Sequence, residues 1–460
     1  MLLAKLIMLK RGKLFDAKYF LSLCFMISGI CAMAQNSPYS RYGLGDLTTN
    51  TNVANRGMGG ISAGYADFLS INFNNPASYS NFLAVQELRS KKIAQGRVVL
   101  DVGINIDNKT LIAKDNPVKF STTDPYFSYV QVGIPIRKGW GLSFGLRQLS
   151  RINYTIDRVE RLKDPRTGLP IDSVFTEFSG TGGSFLPSIG TGIAIGNFSI
   201  GANMGYLFGK KDINTRRFFL NDTVSYAASH HGTNTSFGDL FFNAGVQYKI
   251  DINRETVLRL GAAGNLQRSL HATQDAVRET AGRDATTGDY KIDSVFESSR
   301  EGTVIYPASY TVGFTLEHTE KTTGKGWRFG VDYIQNKWSQ FRLMDASDSV
   351  QDNWQIRIGG QFQPRPQENY FSRVVYRAGF SFGPDYIKVQ NKLPQYNISF
   401  GIGLPVANYN RLAPGQFTIV NLGFEYQRRG NDNNLLKENT FKVSIGLNLS
   451  DIWFNKRKYD

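Results

Sequence analysis

The stretch of sequence that decides the fold lies near the end of the chain, where residues 441–450 read Phe-Lys-Val-Ser-Ile-Gly-Leu-Asn-Leu-Ser. Large apolar side chains occupy every second position, from Phe441 to Leu449, and small or polar side chains occupy the positions between them. Successive side chains of a β-strand point to opposite faces. This period of two therefore predicts a strand with one apolar face and one polar face.

The same alternation recurs along the chain from about residue 97 onward. It is clearest in residues 140–146, 198–208, 376–382 and 398–406. The candidate strands centre near residues 102, 131, 144, 155, 190, 203, 219, 244, 262, 311, 331, 358, 378, 401, 422 and 445. One or two of these segments can merge with a neighbour or belong to a loop, so we expect an all-β chain of about fourteen strands.

A membrane barrel and a soluble β-sandwich both have one apolar face, so alternation alone leaves both folds open. Three features favour the barrel. The segments are about 9 to 11 residues long, the length that a tilted strand needs to cross a bilayer. The polar face has few Lys and Glu residues, and aromatic residues mark the ends of the apolar face, namely Trp140, Tyr206, Phe208, Trp327, Tyr333, Trp354, Phe362, Tyr426, Trp453 and Phe454. We therefore predict a transmembrane antiparallel β-barrel over residues 96–460.

The first 34 residues have the pattern of a secretory signal peptide. A basic leader that includes Lys10 and Arg11 precedes an apolar run that ends in Ala32-Met33-Ala34. The apolar run is too short for a membrane-spanning helix. The chain has two cysteines, Cys24 and Cys31, and both fall in this segment. Residues 35–460 thus have no thiol for a disulfide or a metal, and we expect no cofactor.

The formal net charge of the 460-residue chain is +15. Its basic pairs, such as Lys91-Lys92, Arg216-Arg217 and Arg428-Arg429, are scattered and stand at the ends of the predicted strands. Nucleic-acid binding favours one continuous basic face, so we expect no nucleic-acid partner. Anionic lipid headgroups and lipopolysaccharide at the barrel rims are the expected partners, and the expected location is the outer membrane of a Gram-negative cell.

Three longer polar stretches, residues 160–183, 222–236 and 270–303, are predicted to be extracellular loops, whereas short turns such as Gly196-Asn197 are predicted to be periplasmic. Two of the loops contain the same string, because Ile171-Asp-Ser-Val-Phe175 recurs as Ile292-Asp-Ser-Val-Phe296. We interpret the repeat as a reused descending strand of an outer hairpin; a binding motif is the alternative.

Residues 35–95 lack sustained alternation and are rich in Gly, Asn, Ser and Ala, which predicts a compact, loop-rich element inside the barrel. Its ordered motifs are Gly57-Met58-Gly59-Gly60, Ala63, Ala66-Asp67, Ser70 and Asn75-Pro76-Ala77. In this order the motifs resemble the plug, or hatch, of the FadL (OMPP1/FadL/TodX) family of outer-membrane transporters. The opening string Ser37–Gly43 and the ending Arg457–Asp460 resemble outer-membrane proteins of the Bacteroidetes.

The resemblance implies passive transport of a hydrophobic or amphipathic small molecule, such as a long-chain fatty acid, gated by the N-terminal plug. The residues that it places in the plug are Gly57, Gly59, Gly60, Asn75, Pro76 and Ala77. The same resemblance leaves an alternative open. Some barrels of this kind, PorV among them, are scaffolds that partner a type IX secretion system or a cell-surface protein complex.

Little in the sequence points to catalysis or to a metal site. The adjacent histidines His230 and His231 lack a third ligand at a convincing spacing, and the Gly-rich stretches lack the Lys-Ser/Thr of a phosphate-binding loop. We therefore expect no enzyme activity. Charges on the face opposite the apolar stripe should point into the lumen, because a charge facing lipid costs about 2 to 4 kcal/mol near the midplane. Whether they pair with the plug or line a route stays open for Arg147, Arg328, Asp332, Arg357, Arg377 and Glu425.

Overall fold

The computed structural model of the chain describes residues 37–87, 93–114, 118–220, 227–284, 288–406 and 415–453. The predicted signal peptide, residues 1–34, lies outside these residues. The strands are β1 (Asp46–Leu47), β2 (Ala84–Gln86), β3 (Ile93–Ala113), β4 (Lys119–Arg137), β5 (Trp140–Lys163), β6 (Pro170–Ile195), β7 (Phe198–Phe219), β8 (Ala228–Asp251), β9 (Thr256–Asn265), β10 (Arg268–Asp284), β11 (Gly288–Tyr306), β12 (Ser309–Thr319), β13 (Gly326–Asn336), β14 (Arg342–Leu343), β15 (Asn353–Gln363), β16 (Val375–Val389), β17 (Asn391–Val406), β18 (Phe417–Arg429) and β19 (Leu436–Trp453).

The helical elements are short. One α-helical turn, α1, spans Val53–Arg56, and four 3-10 turns span Pro38–Arg41, Pro76–Asn81, Trp338–Gln340 and Tyr370–Arg373. Among the described residues, no helix has the length and apolar character needed to span a membrane.

The strands form one antiparallel sheet that closes on itself, because β19 pairs with β3 along its whole length, with Leu447 opposite Val102. The closed ring has 14 positions, and five further strand pieces bring the total to nineteen. Two ring positions are each split into two strands. One split falls between β9 and β10 at Leu266-Gln267, and the other falls between β11 and β12 at Pro307-Ala308, where proline has no N–H for the ladder. The prediction of an all-β barrel of about fourteen strands is confirmed.

The two faces of the ring follow the sequence alternation. On β19, Phe441 and Ile445 are exposed on the outside, whereas Ser444 and Asn448 are buried on the inside. Exposed Tyr, Trp, Phe, Ile and Leu side chains recur around the outer surface. A continuous exposed apolar belt is typical of a surface that faces lipid.

Several strands are much longer than the predicted 9 to 11 residues. β5, β6, β7 and β8 have 24, 26, 22 and 24 residues. The predicted loops 160–183, 222–236 and 270–303 were therefore largely wrong, since β5, β6, β8, β10 and β11 occupy most of them. Beyond the apolar belt the regular alternation of apolar and polar residues ends, while the backbone ladder continues. The repeated string lies on the second strand of a long hairpin in both places, β6 and β11, as the interpretation expects; that these hairpins face the outside stays a prediction.

Residues 37–87 contain no strand longer than three residues and are buried against the inward face of the ring. Met58, Ile61, Tyr65 and Ile71 are completely inaccessible to solvent. Backbone contacts reach strands on opposite sides of the ring, with Gly57 against β17 and Pro76 against β7. The segment is therefore enclosed by the barrel.

Residues 337–352, between β13 and β15, also fold inward. Trp338 and Phe341 belong to a buried apolar cluster that joins this segment to the N-terminal segment and to inward-facing side chains of the ring. The cluster contains Tyr39, Leu44, Leu149, Leu186, Leu207, Phe237, Phe241, Leu270, Ala272, Val304, Trp338, Phe341, Met344, Tyr386, Ile387 and Leu393. It fills much of the lumen at the end opposite the start of β3 and the end of β19.

Candidate functional site

The glycine-rich turn after α1 brings the N-terminal segment into backbone contact with the ring. Gly59 and Gly60 have φ values of 69° and 83°, which only glycine adopts without strain. A Cβ atom on Gly59 would lie 2.8 Å from the carbonyl oxygen of Ile358, and one on Gly57 would lie 2.9 Å from Cα of Gly401. The turn thus requires glycine for both its conformation and its packing.

Asn75, Pro76 and Ala77 form a second contact, on the opposite side of the ring. The Asn75 side chain accepts a hydrogen bond from the Ala77 N–H and caps the 3-10 turn that begins at Pro76. Its amide nitrogen donates to the carbonyl oxygen of Ala63 at 2.7 Å and to that of Val246 on β8 at 3.2 Å. Asn75 therefore ties two parts of the N-terminal segment to the barrel wall.

Four of the six lumen-facing candidates bond directly to the N-terminal segment, and Asp332, Arg357 and Arg328 are the first three. Asp332 accepts from the backbone N–H groups of Ser62 and Ala63 at 2.6 and 2.9 Å. Arg357 donates to the carbonyl oxygen of Gly60 at 2.9 Å. Arg328 pairs with Glu317 at 3.0 Å and lies 3.8 Å from Asp67 of the segment.

The remaining three candidates also point inward. Arg377 donates to Gln361 and Asn421, and Glu425 accepts from Asn397 at 3.0 Å. Arg147 is the least satisfied of the six. Within the described part of the chain its one hydrogen bond runs from Nη1 to the carbonyl oxygen of Phe73, at 3.4 Å, and its Nε has no partner. The guanidinium also stacks over the Phe73 ring, 5.2 Å from its centroid.

Sequence reasoning missed a buried ionic cluster centred on Asp46 of the N-terminal segment. Its carboxylate is 2.5 Å from Lys109 on β3 and 3.0 Å from Arg429 on β18. Arg429 also pairs with Asp385 and Glu438. Asp46 is 63 positions from Lys109 and 383 positions from Arg429, so no local spacing reveals the cluster.

Burial alone would raise the pKa of the Asp46 carboxyl, but the adjacent Lys109 and Arg429 cations outweigh it and hold that pKa well below its usual range. Nearby, burial and the Glu438 carboxylate raise the pKa of Tyr39 to about 12, so its phenol stays neutral and donates to the carbonyl oxygen of Leu436. Residues 39–46 are therefore held to the ring by charge as well as by packing.

A cavity of about 300 Å³ is lined by both the N-terminal segment and the apolar cluster. One side is densely charged and comes mainly from β3, β18, β19 and the segment, with Asp46, Asp107, Lys109, Glu425, Arg429, Glu438 and Lys442. The other side is largely apolar, with Leu149, Leu186, Phe241, Tyr306 and Trp338. Arg147 belongs to this second side, where Leu186 is its register partner on β6.

The histidines and serines show no catalytic arrangement. His230 bonds to Glu279 and Asn214, and within the described residues no cluster of three metal-ligating side chains occurs. The sequence contains three Gly-x-Ser-x-Gly strings, at residues 60–64, 141–145 and 379–383, which sequence reasoning overlooked. The second and third lie within strands, β5 and β16, and the first lies in the loop after α1, so none is at the strand-to-helix turn that exposes a catalytic serine. The two strings in strands result from the alternation of small and large residues.

Comparison with known families gives one match that spans nearly the whole chain. The model of the BamG family matches residues 17–460. The chain belongs to the BamG family. No curated protein sequence matches this BamG-family chain significantly.

Solved structures similar to this BamG-family protein include a FadL homologue from Pseudomonas aeruginosa, with a TM-score of 0.53, 12% identity and coverage of 90% of this chain and 100% of that one. For the toluene transporter TodX from P. putida the TM-score is 0.51 and the identity is 14%, with coverage of 88% of this chain and 99% of that one. For the toluene transporter TbuX from Ralstonia pickettii the TM-score is 0.50 and the identity is 12%, with coverage of 87% of this chain and 98% of that one. At these identities the likeness concerns the fold. It confirms the FadL resemblance at that level.

Proposed function

We propose that this protein resides in the outer membrane of a Gram-negative cell and lets a hydrophobic or amphipathic small molecule pass through it. The exposed apolar belt suits a lipid environment. The fold is that of a FadL homologue and of two proteins described as toluene transporters. In this orientation the short turns, such as Gly196-Asn197, are periplasmic, and the tall β5–β11 hairpins face the outside, where lipopolysaccharide surrounds the barrel.

The cavity is the observation that carries the proposal. Its two unlike sides favour an amphipathic ligand over a plain hydrocarbon, because the apolar side can bind an aliphatic tail while charged groups bind a polar head. Arg147 is suited to contact an anionic head, since it is buried, lacks an Nε partner and sits among apolar side chains. A long-chain fatty acid is a ligand of this kind.

In this proposal the N-terminal segment, predicted as residues 35–95 and described here over residues 37–87, is a plug that gates the route. The contacts of Gly57, Gly59 and Gly60 with the ring, and those of Asn75 on the opposite side, support this role because they hold the segment across the lumen. A passing ligand needs part of these contacts to open.

The test is uptake of labelled oleate, and of uncharged oleyl alcohol, by cells that lack their own fatty-acid transporter and carry the full chain. We expect the wild type to take up both. Arg147→Gln should raise the oleate concentration for half-maximal uptake about tenfold, the value of one charge-assisted hydrogen bond, and leave oleyl alcohol unchanged. Asn75→Ala should lower the uptake of both.

Exposed Arg254, in the β8–β9 turn, provides the matched control, because Arg254→Gln removes the same charge far from the cavity. The amount of folded barrel is measured for each variant by its heat-dependent gel mobility. Uptake no faster than in cells without the protein contradicts transport. Equal oleate uptake by Arg147→Gln and Arg254→Gln contradicts the role of Arg147.

A scaffold role is a second candidate, and the buried charges of the lumen are the observation that suits it. A transport route for apolar molecules does not need the buried ion pairs of Asp46, Lys109 and Arg429. Absent uptake together with a stable, stoichiometric complex with secretion or surface proteins would support the scaffold instead.

A further inference from the structure

The upper part of β11 is a strand edge without a partner strand. On one side β11 pairs with β10 along its length. On the other side Val304 and Ile305 pair with β14, and the Met344 N–H donates to the carbonyl oxygen of Thr303. In the described part of the chain, no strand pairs with residues 288–302 on that side. The edge arises because the ring is split at Pro307-Ala308, so that β12 and not β11 continues to β13.

The edge between Glu297 and Thr303 is regular. Its register with β10 is uninterrupted, and the two register shifts fall nearer the hairpin tip. Natural edge strands are usually blunted by charged side chains, Pro or bulges; this stretch has no Lys and no Pro, and its one basic residue is Arg300. The opposite edge of the same raised sheet, on β5, carries three basic residues, Arg158, Arg161 and Lys163. About 23 Å of β11 backbone is thus open to pairing.

The register identifies the backbone groups that face outward from the edge. The carbonyl of Thr303 points to the unpaired side, because it accepts from Met344. Backbone groups two residues apart along a strand point the same way, so those of Glu301, Ser299 and Glu297 also point to the open side. The backbone groups of the residues between them, Ser298, Arg300 and Gly302, point towards β10 and form the ladder with that strand.

The sheet face beside this edge is acidic. Glu297 and Glu301 of β11 and Asp275 of β10 are exposed on the same face, which is the outer face of the sheet. Within the chain, Ser299 donates to Asp275 and Ser294 donates to Glu297, so a basic side chain of a partner would add to these contacts. A strand added here would therefore be favoured by basic side chains at every second position.

We propose that the Glu297–Thr303 edge binds an extended segment of a different polypeptide, which adds to the sheet as a strand and presents Lys or Arg to Glu297 and Glu301. Antiparallel pairing is the more stable kind. Two copies of this chain in one membrane point the same way, so their β11 edges could meet only in parallel. In the proposed orientation the edge faces the cell surface, and its partner is a surface or secreted protein. The inference is independent of transport.

The test is binding of a fluorescent synthetic peptide, Thr-Lys-Val-Lys-Thr-Lys-Val, to the purified full chain in detergent, followed by fluorescence anisotropy. We expect saturable binding by the wild type. Ser299→Pro should weaken binding about tenfold, because it removes an edge N–H and leaves the β10 ladder intact. Ser299→Ala is the matched control, since it loses the same hydroxyl and keeps the N–H.

A second control is the same peptide with alternate backbone nitrogens methylated, which keeps every charge but blocks strand pairing. Weak binding of this peptide supports the proposal. Equal binding of both peptides, or equal binding by Ser299→Pro and Ser299→Ala, reduces the interaction to simple charge attraction and overturns it. Absence of saturable binding by the wild type, or dimerisation that Ser299→Pro abolishes, also overturns it.

Discussion

At the scale of single residues, Asp46 shows how the N-terminal segment is fixed. Its carboxylate is buried between Lys109 and Arg429, and the same arginine reaches Asp385 and Glu438. A buried charge is tolerated only when its partners compensate for lost hydration. Removal of Asp46 would take one carboxylate from Lys109 and one from Arg429, which would keep Asp385 and Glu438.

This environment predicts how the segment responds to acid. Because the folded-state pKa of Asp46 is lowered from its ordinary value of 3.8, its stabilising contribution is present above that value and is lost as the pH falls through the lowered pKa. We expect slow hydrogen–deuterium exchange in residues 38–50 from pH 8 to about 4, and faster exchange only in stronger acid. Mass spectrometry of that peptide, corrected for intrinsic exchange, measures it.

Asp46→Asn should speed exchange there at every pH, by roughly a hundredfold for a loss of about 3 kcal/mol. Asp251→Asn is the control, because Asp251 pairs with Lys249 on the surface, with half of its side chain exposed. It should change exchange little. Segment protection that disappears between pH 7 and 5 would contradict this account.

At the scale of elements, the glycine turn after α1 fits against β15 and β16 so closely that no side chain can be added. The Gly59 N–H also donates to the Ser399 hydroxyl on β17 at 2.9 Å. The ring contributes its own glycine, since a Cβ on Gly379 would lie 1.9 Å from the Gly59 nitrogen. Because both elements have glycine at the contact, their backbones can lie directly against each other.

Gly59→Ala is expected to displace the turn, and Gly168→Ala provides a closely matched control. Gly168 has a φ of 67° and no atom within 4 Å of the position that a Cβ would take, whereas Gly59 has a φ of 69° and three backbone atoms within 3.0 Å of that position. In both variants alanine must adopt a left-handed backbone conformation, which costs about 1 to 2 kcal/mol of stability. Only Gly59→Ala adds a steric clash with neighbouring backbone atoms. Exchange of residues 53–66 should rise in Gly59→Ala alone. Equal behaviour would show that conformation, not packing, requires the glycine.

At the scale of the whole molecule, the apolar cluster links three parts that are distant in the chain. Phe341 is completely buried beside Trp338 and joins residues 337–352 to the N-terminal segment and the ring. A polar lumen alone would leave these parts free to separate. The cluster supplies the hydrophobic contribution that holds these parts together at the end of the barrel opposite the start of β3 and the end of β19.

Phe341→Ala should therefore lower stability by about 3 to 5 kcal/mol. Thermal unfolding, followed by gel mobility and circular dichroism, should show a lower midpoint. Phe371→Ala is the control, because Phe371 is 67% exposed in the β15–β16 connection and should matter little. Similar midpoints for the two variants would show that the cluster is not needed for closure.

The sequence by itself determined the strands and their two faces, because the period of two at Phe441–Leu449 depends only on neighbouring residues. Its sixteen predicted centres reduce to the fourteen ring positions once 144 and 155 merge in β5 and 203 and 219 merge in β7. The inward direction of Arg147 and Asp332 also followed from the cost of charge in lipid.

Only the tertiary structure decided which inward side chains meet. Asp46, Lys109 and Arg429 come together because the ring closes β19 onto β3, and no spacing in the chain encodes that contact. The free edge of β11 has the same origin, since it depends on which strand lies beyond Pro307. Alternation is a local property that a sequence displays directly, whereas partners across a lumen are set by closure of the whole ring.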